Sequence, residues 1–367
     1  MNQPPSESRV TPSAEKVPAD GVTAEGSAYV STRLRYVDMA VPEPGKVVQL
    51  TPVVSWCRIP LPVDLNHINV WLVETDDGCM LVDTGLASPV GKEAWEIIER
   101  EVLAVRALRG IFITHIHPDH IGLSAWLQDR HRVPVFMSQH TYDQAQLLLN
   151  GDMGPTAEAE IFLRMHGAAE SMGMQTLSPS RMLAMTSGMP AVQRLIADAE
   201  VLQWGGTAWT AIETNGHADG HLCLFDPAGG VLISGDQILP TISSNVAFTW
   251  RNRDRNPLDS FMTSLRALRL LPEDTLVLPS HGVPFRGMRH RIDDLLRHHE
   301  EQLDKLVQVC AAPQTAFELL PVMYRRQLQG MHLFLGLAEA LAHLEWLAHA
   351  GRVERRTDAA GVLRYAA

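Results

Sequence analysis

Apolar positions along this chain follow two periods, and the change from one to the other organises it. Residues 46–62 (KVVQLTPVVSWCRIPLP) read as one or two strands. Residues 67–85 (HINVWLVETDDGCMLVDTG) read as a hairpin turning at Asp77-Gly78. Residues 88–103 carry a helical repeat, with Ser88 as N-cap and Pro89 in the first helical position. GIFIT at 110–114 is a short buried strand, 121–130 a helix, 133–138 a strand and 138–150 a helix opened by Ser138. Residues 157–175 and 190–199 both read as helical. Hairpins follow around Gly205-Gly206 and around the turn at 227–230, then a helix over 258–271 and a strand and loop in TLVLPSHG. Strands interleaved with helices predict an α/β layered domain.

Beyond residue 290 the strand signal nearly vanishes. Residues 290–310 form one amphipathic helix, 315–328 a second opened by a Thr315/Glu318 capping box, and 332–350 a third stopping at Gly351. Residues 352–365 close as a small hairpin, so three helices and a β-wing predict a winged-helix-like module. The expected organisation is a disordered tail over 1–27, a layered domain over 28–289 with a helical insert at about 141–200, and the module over 290–367. Met153, Met165, Met172, Met174, Met182, Met185 and Met189 fall in or near that insert. They fit an irregular core, or alternatively a mobile apolar lid over a substrate.

Composition narrows the classes of function. No apolar run approaches the roughly 20 residues that span a bilayer, and the N-terminus has no apolar signal core. Cys57, Cys79, Cys223 and Cys310 are scattered, with no CxxC pair, as in a reducing cytosol, so the expected location is cytoplasmic. A net charge of −11 disfavours broad attraction to nucleic acid or anionic membrane.

The chemistry concentrates in FITHIHPDHIG, residues 112–122, where three histidines and an aspartate fall within six positions. His115 and His117, two apart in extended chain, point the same way and can grip one ion. Asp119 and His120 sit on the turn that follows. Mixed imidazole and carboxylate sets suit Zn(II) or similar first-row metals. His217 in NGHADGH, Asp236 in LISGD and His281 in LPSHG each follow a strand-like run, where sites gather in layered α/β sheets.

Taken in order, THIHPDH, GHADGH, SGD and SHG resemble the metallo-β-lactamase superfamily of metallohydrolases, and LVDTG at 81–85 is typical of it. The likeness covers roughly residues 48–290. It implies a four-layer αβ/βα sandwich carrying two Zn(II) ions, with iron or manganese as alternatives. His115, His117 and His217 would hold the first ion and Asp119, His120 and His281 the second, with Asp236 bridging and Asp83 orienting a ligand. His221 would not be a direct ligand. The third motif departs from the usual Gly-His-Thr-x-Gly-His at Ala218 and carries Asp219, which either faces solvent or lines the site. Ser280 stands where Gly is common. His117, where flavodiiron reductases of this fold carry Glu, disfavours redox chemistry. The region after 290 resembles a C-terminal module shared by an endoribonuclease and by thioesterases that release polyketides.

The resemblance implies hydrolysis by a hydroxide bridging two metals, its pKa lowered toward ~7, with Asp119 orienting or deprotonating the water. The favoured electrophile is an ester or thioester of a small acyl substrate, on the acidic charge and the apolar insert. The alternative is endoribonuclease or phosphodiesterase action on single-stranded RNA, which needs cationic contacts. Residues 290–367 carry nine Lys/Arg against ten Asp/Glu, so the module is not basic. Arg352, Arg355, Arg356 and Arg364 nonetheless cluster on the wing, and Arg251, Arg253 and Arg255 form either a phosphate site or a plain surface loop. A binding module with a vestigial site is a third reading, opposed by the intact ligand set. The module's default role is packing or a homodimer contact. A lone His67 is expected to be structural, and the His298-His299 pair to face solvent.

Overall fold

The computed structural model describes residues 33–149, 157–168 and 183–367. The expected tail and Met153, Met172, Met174 and Met182 lie outside them. The first elements are β1 (Arg35–Tyr36), β2 (Val47–Thr51), β3 (Val54–Pro60), β4 (His67–Thr75), β5 (Gly78–Val82), α1 (Pro89–Ile98), β6 (Leu108–Phe112), α2 (Pro118–Ile121), α3 (Ser124–His131), β7 (Val135–Met137), α4 (Gln139–Leu149) and α5 (Ala157–Met165). Next come β8 (Val192–Leu195), β9 (Val201–Trp204), β10 (Thr207–Thr214), β11 (His221–Asp226), β12 (Val231–Gly235), α6 (Pro257–Leu268), β13 (Leu276–Pro279) and β14 (Phe285–Arg286). The chain ends in α7 (Met288–Val309), α8 (Leu320–Met323), α9 (Gly330–His349), β15 (Glu354–Thr357) and β16 (Leu363–Ala366).

Two seven-stranded sheets, ordered β2-β3-β4-β5-β6-β7-β8 and β1-β14-β13-β12-β11-β10-β9, form the middle of the molecule. Period-two alternation explains why they stack. In β4, Trp71 and Val73 face the other sheet, while Ile68, Val70 and Leu72 face a cluster that includes Trp95 and Ile98 of α1 and Leu127 of α3. In the second sheet Leu222, Leu224, Ile233 and Leu278 point inward, and Cys223, Leu232 and Val277 point outward to α6, α7 and α9. The result is helices, sheet, sheet, helices. Trp56 and Trp71 stack in the inter-sheet core with ring centroids 6.2 Å apart. Among the described residues no helix is long and apolar enough to cross a membrane.

Several local expectations hold. Ser88 caps α1 by accepting from Gly91 N at 3.1 Å. Gly205 and Gly206 turn the β9–β10 hairpin with φ of +55° and +72°, as a two-residue turn of this hand requires. Met185 and Met189 pack on the core beside α1 and α3, as the irregular-core reading expects.

Others need correction. The first hairpin turns at Asp76-Asp77, because Gly78 already pairs with Thr75. Residues 190–199 are not helical: β8 adds in parallel to β7, whose ladder supplies the partners a helix would have supplied internally. The Thr315/Glu318 capping box forms, with bonds of 2.8 and 3.1 Å, yet the helix of 315–328 shrinks to the four residues of α8. Pro321 has no N–H to donate, and its ring excludes a regular turn through Phe317.

The His298-His299 pair is buried, because α7 packs against both α6 and α9. His343 Nδ1 donates to Glu339 O at 2.8 Å, so its Nε2 accepts from His299 Nδ1 at 3.1 Å. That leaves His299 Nε2 to accept from the Ser243 hydroxyl at 3.2 Å. Burial, then His343, His298 and Arg291, hold the pKa of His299 well below its ordinary value. The unfolded chain takes up a proton below about pH 6.5 that folded His299 refuses. Its contribution is therefore intact above that pH and is lost as pH falls, on the order of 1 kcal/mol per pH unit. Urea unfolding at pH 7.5 and 5.5 is expected to show a shallower loss for His299→Gln than for the wild type. Equal slopes would contradict this.

Candidate metal centre

The candidate ligands gather at one edge of the two sheets, past the C-terminal ends of β6, β12 and β13 and in the β10–β11 connection. β6 ends at Phe112, and the chain passes through His115 to His117, which is itself extended (φ −60°, ψ 144°). Pro118 then opens α2, whose single turn carries Asp119 and His120. A register shift between Ile233 and Gly235 bends the end of β12 and re-aims Asp236. Gly235 (φ +52°) cannot be replaced there, since a Cβ would lie 2.3 Å from His221 Nε2. That nitrogen accepts from Asp236 N at 3.1 Å, so His221 holds the backbone of Asp236 and stands outside both ligand clusters.

Two clusters result: His115, His117, His217 and Asp236, and Asp119, His120 and His281. His115 Nε2 lies 3.0 Å from His117 Nδ1 and 3.3 Å from His217 Nε2. Asp236 Oδ2 lies 3.4 Å from His217 Nε2 and 3.5 Å from His120 Nε2, and its Oδ1 lies 3.5 Å from His281 Nε2. Asp119 Oδ2 is 3.4 Å from His281 Nε2 and 3.7 Å from His120 Nε2. Asp236 thus faces both clusters.

The far side of each ring shows why those nitrogens converge. Asp83 accepts from Thr114 N and Thr114 Oγ1 at 2.9 and 2.8 Å, and from His120 Nδ1 at 2.8 Å. The Thr114 hydroxyl is therefore left to accept from His115 Nδ1 at 3.0 Å. His217 Nδ1 donates to Asn245 O and His281 Nδ1 to His67 O, each at 2.8 Å. With Nδ1 engaged in all four rings, Nε2 is the nitrogen aimed inward. Asp83 reaches this position in left-handed backbone (φ +61°), strain of the kind found where geometry is over-determined.

These residues fit divalent metal ions. His120 Nε2, His281 Nε2 and Asp236 Oδ1 are buried without a hydrogen-bond partner among the described residues. Ligands about 2.0–2.1 Å from a tetrahedral ion stand about 3.3 Å from one another, the spacing seen between these atoms. Charge fits as well. Burial, then the neighbouring imidazoles, keep His115 well below its ordinary pKa, and His117 falls to about 3, chiefly by burial and His217. Burial opposes charge on His120 and His281, yet the carboxylates outweigh it: chiefly Asp236 and Asp83 for His120, Asp236 and Asp119 for His281. Both pKa values rise. Burial likewise opposes ionisation of Asp236, but His120 and His281 hold its carboxyl well below the usual range. The site draws in positive charge that a divalent ion can supply in exchange for protons.

Other residues singled out in the sequence fall around this centre. Asp219 pairs with Arg255 at 3.0 Å. Arg251 lies over the Trp250 ring and Arg253 over Phe162. His67 is structural: its carbonyl holds His281, and its Nε2 accepts from Gly282 N at 3.0 Å. Thr114, Ser244 and Asn245 are not among the residues that the sequence reading assigns to the site, although Thr114 stands in THIHPDH and the other two in SGDQILPTISSNV, a stretch that also resembles the family.

Residues 63–281 match the Metallo-beta-lactamase superfamily, and residues 303–367 match the Metallo-beta-lactamase-like, C-terminal domain. A probable metallo-hydrolase of Bacillus subtilis (strain 168) is 26% identical over 79% of this chain and 90% of its own length. The crystal structure of a beta-lactamase domain protein from Burkholderia ambifaria is similar with a TM-score of 0.83 and 34% identity, over 91% of this chain and 97% of that one. An acyl-coenzyme A thioesterase of Homo sapiens is 27% identical over 47% of this chain and 59% of its own. An exodeoxyribonuclease of Bacillus anthracis is 25% identical over 44% and 70% respectively.

Proposed function

This chain belongs to the metallo-β-lactamase superfamily, and we propose that it is a zinc-dependent hydrolase of an ester or thioester of a small acyl substrate. The observation that carries the hydrolase reading is the pair of ligand clusters sharing Asp236. His115, His117 and His217 would hold one ion, Asp119, His120 and His281 the other, and Asp236 both. Two divalent ions bound there supply a water activated near neutral pH and a Lewis acid for the acyl oxygen.

The side chains do the rest. Asp119 is the most exposed carboxylate of the set, with 22% of its side chain open, and is placed to orient the attacking water or take its proton. Asp83 and the carbonyls of His67 and Asn245 fix the imidazoles before substrate arrives. A covalent thiol route is disfavoured, since all four cysteines are buried and burial pushes the Cys223 thiol up to about 12.

The choice of electrophile rests on two observations. Arg352, Arg355, Arg356 and Arg364 are each held by a carboxylate, from Asp304, Glu345, Glu354 and Asp358 at 2.6–2.9 Å, which leaves the hairpin poorly suited to a phosphate backbone. The first turns of α9 carry half-buried Met331, Leu333, Phe334 and Leu335, and the Leu335 carbonyl accepts from the side chain of Asn245, whose own carbonyl holds His217, so the helix beside the centre supplies apolar side chains of the kind an acyl chain needs. The human thioesterase relative is further support by likeness.

The test is turnover of acyl thioesters, lactones and single-stranded RNA by zinc-loaded protein and by Asp119→Ala. Thioester or ester cleavage is expected, falling about a hundredfold in the variant. RNA cleavage that is lost in the variant, with thioesters untouched, would overturn the acyl reading.

A further inference from the structure

His217 differs from the other imidazoles in what holds it. His115 and His120 are oriented through Thr114 and Asp83, and His281 through His67, all within the two sheets and their edge. His217 is oriented by the carbonyl of Asn245. Asn245 belongs to the segment that leaves β12 at Asp236, and residues beyond 287 grip that segment repeatedly. Arg291 Nε donates to Leu239 O at 2.6 Å and its Nη2 to Ile242 O at 2.7 Å. The Ser243 hydroxyl is held by His299. Asn245 Nδ2 donates to Glu339 Oε2 at 3.1 Å and to Leu335 O at 3.3 Å, both on α9. The Tyr324 hydroxyl donates to the same Glu339 oxygen at 3.2 Å. Within the segment, the Ser244 hydroxyl donates to Asp236 O.

Both amide hydrogens of Asn245 are thus committed to one helix, and one of them goes to a buried carboxylate, which makes a strong bond of fixed direction. With its side chain pinned, the Asn245 carbonyl is aimed at His217 Nδ1 and keeps the proton on that nitrogen. His217 Nε2 then points inward as a bare ligand atom.

We propose that Asn245, anchored by Glu339, is a positioning residue for His217, so that the C-terminal helices complete the metal centre and are not a detachable module beside it. This rests on the reading that His115, His117, His217 and Asp236 hold a metal ion. A packing role alone would change stability. A positioning role changes one binding site selectively.

The experiment is a zinc titration of the full-length, metal-free chain against a chromophoric chelator, resolving a dissociation constant for each ion. The thermal midpoint of each metal-free variant is recorded alongside. Asn245→Ala is expected to weaken one ion by about 10- to 100-fold and the other by less than about threefold. Glu339→Ala is expected to weaken the same ion by roughly tenfold, and Glu339→Gln, which keeps an acceptor oxygen, to stay within about threefold of wild type. If Asn245→Ala does not fold, the two Glu339 variants carry the comparison. The proposal is overturned if both ions weaken together with a falling midpoint, if neither weakens, or if Glu339→Gln is as damaging as Glu339→Ala. A wild-type chain that binds no zinc overturns the metal-centre reading itself, and this proposal with it.

Discussion

Alanine in place of Asp236 is expected to lower kcat/KM by at least about a thousandfold, or roughly 4 kcal/mol of transition-state stabilisation. Its two oxygens face His217, His120 and His281 at 3.4–3.5 Å, so its loss opens both clusters together. No other candidate ligand does so: Asp119 contacts only the His120 and His281 side, and its removal is the milder change. The variant also strips charge from a site where Asp236 is the chief carboxylate raising the pKa of His120 and His281. Steady-state kinetics with metal content measured on the same samples checks the expectation. A variant within tenfold of wild type, with its metal retained, would mean that Asp236 does not join the two clusters.

What was legible in the sequence is what depends on near neighbours. In β4 the order Ile68, Val70, Leu72 against Trp71, Val73 displays both faces of a buried strand within six residues. His115, His117, Asp119 and His120 are equally compact, and a strand followed by one helical turn suffices to bring them together. The expectations that failed depend on partners far along the chain. His298 and His299 look polar on their own helix, and only packing of α6 and α9 against α7 buries them. Residues 192–195 are a strand because the edge of β7 needed a partner. The arginines at 352–364 read in the sequence as a solvated cluster in preference to a binding site, and what is not visible there is the pairing of Arg352 with Asp304 and of Arg355 with Glu345, both on other elements. Asn245 and Glu339 are 94 residues apart, and although Asn245 stands in the SGDQILPTISSNV stretch that resembles the family, nothing in the sequence pairs it with Glu339.

Removing the metal is expected to abolish turnover, by a thousandfold or more on the order of Asp236→Ala, and to lower stability as well. Asp236 Oδ1 and the Nε2 atoms of His120 and His281 are buried without hydrogen-bond partners among the described residues, so an ion bound there offsets the cost of burying them. An ion that binds only the folded chain adds about 4 kcal/mol once its free concentration exceeds its dissociation constant a thousandfold. Chelation should therefore lower the thermal midpoint by roughly 10 °C, and zinc should restore it. His120→Ala, which also removes the ring held by Asp83, should respond less to both treatments.

The most direct measurement is a zinc titration of the metal-free chain with thioester turnover followed in the same samples. No turnover is expected at zero metal, and activity should rise with bound zinc and saturate at two ions per chain. Turnover that is present without metal, or that stays flat as zinc binds, would contradict this.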